Sequence, residues 1–500
     1  NMTVAVFSES TVSASLTLGT VPLARVGPSL TTFKDRLYAF GGRTINPPKV
    51  TNDLYLFDLH HMACELVQPN EGSPLPSPRY FHSATMHEDK YLIISGGQGE
   101  QTNPDTPNVL NDICIYNIQT NEWEIFELNT TTFPSRYAHL TITKNNHLFI
   151  IGGQDADNQY LNDIYTFDLK SKELEKRCSI SAGIGSYRST LSICPGSNEL
   201  FVFSNTRFNN PIRELITFDD NLNMNSFQFP QNRSDLPPAL RFPEGYIIGD
   251  KLVISGTYIS NNVQSYSLWT LDLKELTWSR IDTGSCFARG SWNRGILHPM
   301  NNQFLIFGHR DREIVEDYQH RRINFNHISV VNLEAFNIYR KPITCEDQHS
   351  VDLGLLMMYE PRYSNFALLT KDGFRIHINS GFLRSRWRNF DTYLTKRQDK
   401  DQALGIFSSN TLELQETYST IQAFVRYLYT DNLDFDQAKN LKVLGKLLIF
   451  ARNYSVHNLY DQAASHLHSM LDVDNALEIF EVSCTGKRDG LRLRSLSLIL

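Results

Sequence analysis

Hydrophobic positions in the first two thirds of the chain fall in short unbroken runs, without the three-to-four-residue spacing of a surface helix, and several of these runs end in paired glycines. The clearest are Leu37-Tyr38-Ala39-Phe40-Gly41-Gly42, Tyr91-Leu92-Ile93-Ile94-Ser95-Gly96-Gly97 and Leu148-Phe149-Ile150-Ile151-Gly152-Gly153, whose second glycines lie about 55 residues apart. Degenerate copies follow at steps of about 52 residues: Leu200-Phe201-Val202-Phe203-Ser204-Asn205, Leu252-Val253-Ile254-Ser255-Gly256-Thr257 and Phe304-Leu305-Ile306-Phe307-Gly308-His309. A unit of this length cannot bury both faces of its own sheet, so six copies predict six small sheets, each covered by its neighbours.

Within a copy the order is constant. A leading turn with Pro and Arg (Pro78-Arg79-Tyr80-Phe81-His82) precedes the apolar strand, and a polar loop follows it. Next comes a strand opening on Asn-Asp (Asn111-Asp112-Ile113-Cys114-Ile115-Tyr116), then an outer strand marked by Trp123. The third copy repeats this with Pro134, Arg136, Tyr137, His139 and Leu161-Asn162-Asp163-Ile164-Tyr165. The reading is a four-stranded antiparallel sheet whose apolar run lies near the ring axis, buried on both faces. Paired glycines there allow positive φ and close backbone approach, and the Asn-Asp pairs can satisfy turn amides. Ser13-Ala14-Ser15-Leu16-Thr17-Leu18 is expected to supply the outer strand of the last sheet, with Leu333 to Arg340 competing for that slot. The pattern resembles the kelch family, most specifically in the first three units. The resemblance implies an all-β six-bladed kelch β-propeller over 1–342.

After Pro342 the glycine repeat stops. Lys371-Asp372-Gly373 sits between two apolar runs and reads as a hairpin turn. Ile421, Phe424, Val425 and Leu428, then Leu444, Leu447, Leu448 and Ala451, then Leu459, Ala463, Leu467 and Met470, form helical faces. These residues, with Phe374-x-x-His377, Phe382-Leu383 and Ala423-Phe424-Val425-Arg426-Tyr427-Leu428-Tyr429-Thr430, resemble an α+β BTB/POZ domain. Asp474 to Phe480 resembles the start of the helical BACK region that follows many such domains. The expected organisation is a linker over 343–360, BTB/POZ over 361–471 and BACK-like helices over 472–500. Ser364-Asn365-Phe366 departs from the family's first strand, and no hydrophobic-x-acidic signature follows Phe390, so BTB-mediated dimerisation and cullin-3 binding stay open.

Composition narrows the function classes. The 500 residues carry a net charge of -7, which gives no global field for nucleic acid or acidic lipid. Seven scattered cysteines form no CxxC and no Cys/His pair at metal spacing, which fits reduced thiols and a cytoplasmic location. No apolar run approaches the ~20 residues needed to span a bilayer, so membrane association is expected only through a partner. The chain starts at Asn1 and stops in an amphipathic stretch, and is read as a piece of something longer.

No Ser-His-Asp set, HExxH or Walker loop is present, and Gly96-Gly97-Gln98-Gly99 does not open a helix. A copper site of the kind some kelch oxidases carry would need converging His and Tyr ligands; His82 and His139 instead occupy equivalent structural positions. The chain is therefore expected to be non-enzymatic, with no cofactor and no metal.

The candidate interaction residues are the leading-turn arginines Arg25, Arg79, Arg136, Arg188, Arg241 and Arg289, with Tyr80, Tyr137, Tyr187, Phe242 and Trp292 beside them. Arg with aromatics is hot-spot chemistry at protein interfaces and would suit an acidic partner. Equally, these arginines could pair with sheet aspartates or carbonyls. The loop from His309 to Asn324, with Arg310, Asp311, Arg312, Glu313 and His320-Arg321-Arg322, reads as solvated or as a docking loop. A propeller preceding a BTB-like region resembles kelch-BTB proteins of Ras signalling, which implies an adaptor for a Ras-type GTPase or its exchange factor. A cullin-3 substrate adaptor is the alternative.

Overall fold

The computed structural model describes all residues except 1–10, 182, 207–209, 261, 262, 320, 404–409, 434, 435, 437 and 438. His320 thus lies outside the described residues. The chain divides into two units, Asn1–Leu333 and Glu334–Leu500.

Among the described residues the first unit contains, besides two smaller sheets, six sheets that share a four-stranded antiparallel plan, the first extended by Leu18–Gly19 running parallel to Ala63–Val67. In the second of them Ser83–His87 pairs with Tyr91–Ser95, which pairs with Asp112–Asn117, which pairs with Glu122–Glu127. The first strands of the six sheets are Ser29–Phe33, Ser83–His87, Leu140–Lys144, Ser189–Ile193, Arg241–Ile248 and Ser291–His298. They touch in that cyclic order, and the last returns to the first. The sheets therefore form a closed ring.

Closure uses both ends of the unit. Val12–Leu16 pairs antiparallel with His327–Asn332, with Val12 opposite Val331 and Leu16 opposite His327, and completes the sixth sheet as its outer strand. Leu333–Phe336 instead forms a 3-10 turn.

One expectation is corrected. The strands that line the axis are not the apolar runs but the Ser/Thr-rich strands before them, such as Ser83–His87 and Ser189–Ile193. They surround a cavity of about 500 Å3. Several of their hydroxyls bond the neighbouring sheet: Thr143 donates to the Met86 carbonyl at 2.8 Å, Ser192 to Gly245 at 3.0 Å and Thr32 to Leu297 at 3.0 Å. The apolar runs lie second from the axis. There, Leu92 and Ile94 pack toward Tyr38 and Phe40 of the first sheet, while Ile93 packs with Leu148 and Ile150 of the third. Both faces are covered by apolar neighbours, which is why the runs are unbroken.

The glycine pairs join consecutive sheets. The Gly42, Gly97 and Gly153 amides donate to the carbonyls of Arg79, Arg136 and Ile184 in the following leading turns, at 2.8, 2.9 and 2.8 Å. Gly153 has φ +90°, and a Cβ there would lie 2.6 Å from the His139 Cβ and 2.8 Å from the Tyr137 carbonyl.

The second unit is mixed α/β. Phe366–Leu369 pairs antiparallel with Arg375–Ile378 across a turn holding Gly373 at φ +87°, and parallel with Thr411–Glu413. Helices pack on this sheet around Trp387, which is fully buried and donates its indole N–H to the Tyr454 carbonyl at 2.8 Å. Helix Tyr418–Thr430 presents Ile421, Phe424, Val425 and Leu428 to the same core. A buried carboxylate, Glu334, accepts from His468 at 2.9 Å and Arg488 at 2.7 Å. Burial alone would raise its pKa, but Arg488 and His468 hold it at about 2. Among the described residues no helix is long and apolar enough to cross a membrane.

Gly153→Ala and Gly196→Ala separate close approach from backbone strain, because Gly196 also has positive φ but has no atom within 4 Å of its would-be Cβ. Urea unfolding is expected to show Gly153→Ala costing about 1–3 kcal/mol more, the price of overpacking. Equal losses would mean that the close approach contributes nothing.

Candidate functional site

The leading turns meet around one mouth of the axial cavity, linked backbone to backbone. The Phe81 amide donates to Gly27, Ala138 to Phe81, Ser186 to Ala138 and Phe242 to Tyr187, at 2.8 to 3.2 Å. Phe81, Ala138 and Phe242 hold positive φ of about 50° there, a region L-residues rarely adopt. The tight turn aims the Phe81 and Phe242 rings at the axis, where each packs edge-on against Tyr187 with centroids 5.5 and 5.4 Å away.

In the first three sheets the turn arginine faces inward. Arg79 and Arg136 have no exposed surface. Arg79 pairs in bidentate fashion with Asp112 at 2.6 and 2.8 Å and donates to the Gly96 carbonyl at 3.1 Å. Arg136 does the same with Asp163 at 2.7 and 3.4 Å and with Gly152 at 3.0 Å. Arg25, also buried, donates to Gly41 and Thr51 and lies 3.8 Å from Asp53. These three arginines are sheet-internal ties, and a partner cannot touch Arg79 or Arg136. The neighbouring histidines are likewise structural: His139 approaches the Ser95 hydroxyl at 3.2 Å, and burial, helped by Arg136, pushes it down to about 3.

The later sheets depart from this plan. In the fifth, Ser267 stands where Asp112 and Asp163 stand, one residue before the position that pairs with the end of the apolar run. Arg241 instead donates to the Tyr318 hydroxyl at 2.6 Å and lies over that ring. Arg188 lies over Tyr160 at 5.6 Å. Arg289 is exposed but lines no part of the mouth, and Trp292 is buried, packed on Phe287 and donating to the Arg289 carbonyl at 3.0 Å.

The structure thus brings together Tyr80, Tyr137, Tyr187, Arg188, Arg241 and Phe242 at the mouth, and leaves Arg25, Arg79, Arg136, Arg289 and Trp292 away from it. It adds Arg43 and Arg321, which lie outside the repeated leading turn. Arg321, exposed, sits over Tyr187, Phe242 and Phe81 at 5.1, 5.7 and 5.9 Å. Arg43 stacks on Tyr80 at 5.1 Å. The loop bearing Arg321 contains a short helix, Ile314–Gln319, pinned by buried Asp317, which accepts from Arg312 at 2.9 Å and from Asn324 at 2.6 Å. Two clefts flank Arg321, and among the described residues no acidic side chain lines either of them.

Deeper in the cavity, bulges in Arg241–Ile248 and Ser291–His298 place Glu244 and Arg294 2.8 Å apart. Burial raises Glu244 to about 6 in spite of Arg294. Among the described residues no group of three or more His, Cys, Asp or Glu is arranged to hold a metal ion.

Arg136→Met leaves Asp163 buried and unpaired, and should cost about 3–5 kcal/mol of stability, whereas exposed Arg321→Ala should cost under about 1 kcal/mol. Comparable losses in urea unfolding would contradict this division. For Glu244 the folded pKa lies above its ordinary value, so its contribution is complete below pH ~4.5 and is lost as pH rises through about 6. The stability of the unsubstituted chain relative to Glu244→Gln should therefore fall across that window and level off above pH ~7. A flat difference would mean that Glu244 titrates normally.

The sequence comparisons agree with this architecture. The chain is 28% identical to Protein ral2 of Schizosaccharomyces pombe over 97% of its own length and 93% of that protein. Tip elongation aberrant protein 3 of the same yeast is 26% identical over 49% of this chain and 19% of that protein. Kelch domain-containing protein 10 of Rattus norvegicus is 31% identical over 31% of this chain and 37% of its own length. The KLHDC2/KLHL20/DRC7 Kelch-repeats domain matches residues 2–108 and 99–309, well over half of the chain. Six sheets on one plan, joined through their glycine pairs and closed by the first strand, thus have their counterpart in that match, and the chain belongs to this Kelch-repeat family.

Proposed function

We propose that the chain is a non-enzymatic adaptor, a six-bladed propeller over 1–342 that docks a protein partner at the axial mouth, joined to a BTB-like region over 361–471 and BACK-like helices after it. The observation that carries this reading is the mouth itself. Arg43, Arg188, Arg241 and Arg321 are each held against aromatic rings on a closed, hydrogen-bonded frame. Pre-positioned arginines and tyrosines lose little freedom on binding, which favours them as interface anchors. The clefts beside Arg321 are shallow and open, and suit a protein loop better than an enclosed substrate.

The partner is read as a Ras-type GTPase or its exchange factor. Support comes from the order of the two units, which resembles that of kelch-BTB proteins acting with Ras, and from similarity to Protein ral2 that runs through both units. In the second unit, helix Gln348–Tyr359 packs Gly354 against the Tyr429 carbonyl while Leu353, Leu356 and Tyr359 stay exposed. That apolar stripe, on the segment just before 361–471, supports self-association through the second unit.

Affinity purification of the full chain from its own cells, followed by mass spectrometry, is expected to recover a Ras-type GTPase or exchange factor. A variant carrying Arg43→Ala and Tyr80→Ala should lose it while keeping its melting temperature. Stoichiometric binding of purified cullin-3, with no GTPase or exchange factor recovered, would overturn the reading in favour of a ligase adaptor.

A further inference from the structure

The wall of the axial cavity differs from one side of the ring to the other. The first strands of the first four sheets pair in regular register, and the residues they contribute to the cavity are uncharged, among them Thr31, Thr85, Thr141 and Leu191. The first strands of the fifth and sixth sheets are both bulged, and the residue that follows each bulge is charged: Glu244 in one and Arg294 in the other. Both line the cavity, 2.8 Å apart, and about a fifth of each side chain stays accessible. Bulges re-aim side chains and recur beside binding and active sites. Two of them on adjacent strands, each turning one member of the same ion pair toward the axis, mark out a site.

The charges around that site are balanced. Glu244 and Arg294 offset each other. Asp317, which also lines the cavity, lies 2.9 Å from Arg312 and 3.5 Å from Arg322, and Arg321 stands at the mouth over Tyr187. His82 and His139 are held neutral by burial. A free anion beside the pair is repelled by Glu244, and a free cation by Arg294. A hydroxyl is repelled by neither: it accepts from a guanidinium N–H and donates to a carboxylate at the same time. Neighbouring hydroxyls on one molecule can therefore bridge the pair without breaking it. The threonines continue this donor and acceptor surface, while Leu191, Ile247 and Ile296 offer aliphatic contact to the C–H face of a ring. The volume of about 500 Å3 falls within the roughly 300–1,000 Å3 of small-molecule sites.

We infer that the axial cavity binds a neutral polyhydroxylated small molecule, a sugar or cyclic polyol, whose adjacent hydroxyls bridge Glu244 and Arg294. The site is separate from the adaptor reading, because it lies on the first strands inside the ring and uses none of the arginines proposed to meet a protein partner.

The test titrates the full chain by calorimetry with D-glucose, D-galactose, D-mannose, myo-inositol and trehalose. Cyclohexanol and sodium acetate serve as single-hydroxyl and ionic controls. At least one polyol is expected to bind one-to-one with a Kd of about 1 mM or tighter, and roughly tenfold or more tighter than either control. Glu244→Gln and, separately, Arg294→Lys should each weaken that binding by roughly tenfold while the melting temperature stays within a few degrees. The Arg43→Ala and Tyr80→Ala variant should bind the polyol as the unsubstituted chain does. Binding by none of the five, a control that binds as tightly as the best polyol, or binding unchanged in both cavity variants would each overturn the inference. Loss of polyol binding in the Arg43→Ala and Tyr80→Ala variant would do the same, by moving the molecule to the mouth.

Discussion

Everything in the ring depends on backbone meeting backbone between neighbouring sheets. The Arg79 guanidinium donates to the Gly96 carbonyl of its own sheet, the next residue's amide donates to the Arg136 carbonyl of the following sheet, and Arg136 repeats the step with Gly152. Apart from the guanidinium groups, the relay runs through atoms that every residue has. It nevertheless needs glycine, because a Cβ on Gly96 would lie 2.6 Å from the Arg136 carbonyl oxygen. A repeat of hydrogen bonds, and not only of apolar faces, sets the angle at which one sheet follows another.

The plan changes in the fourth and fifth sheets. Asn205 takes the place of a glycine in the fourth sheet, and its amide donates back to the Arg188 carbonyl in the leading turn of its own sheet, while Ser267 takes the place of a carboxylate in the fifth. Arg188 lies over Tyr160, and Arg241 donates to the Tyr318 hydroxyl and lies over that ring. The second and third sheets use this arginine for cohesion, and the fourth and fifth set it at the mouth. The same amino acid at the same repeat position is therefore buried against an aspartate in the second and third sheets and set against aromatic rings in the fourth and fifth.

This explains what could be read from the sequence. Glycine pairs, the Asn-Asp strands and the Asp372-Gly373 turn are local signals, since each residue's conformation answers to its neighbours in the chain. The fate of Arg79 and Arg136 was not legible, because their aspartates lie 33 and 27 residues further on and become partners only once the sheet has formed. The axial position of the Ser/Thr strands was missed for a related reason: the apolar runs are buried by neighbouring sheets, and burial in a sequence does not say on which side the neighbour stands. Arg321 and Tyr318 lie in an insertion with no counterpart in the other copies, so the repeat gave them no address. The loop was legible as a candidate docking element, and its contact with the rings was not.

The seam between Val12–Leu16 and His327–Asn332 has a temporal meaning. Ser13 and Ser329 meet across it although 316 residues separate them. During synthesis the first strand emerges long before its partner exists, and its row of amides and carbonyls must wait unpaired while the sheets between are made. The ring is therefore complete only when its last strand arrives, so a ribosome that stops early releases an open arc with an adhesive edge.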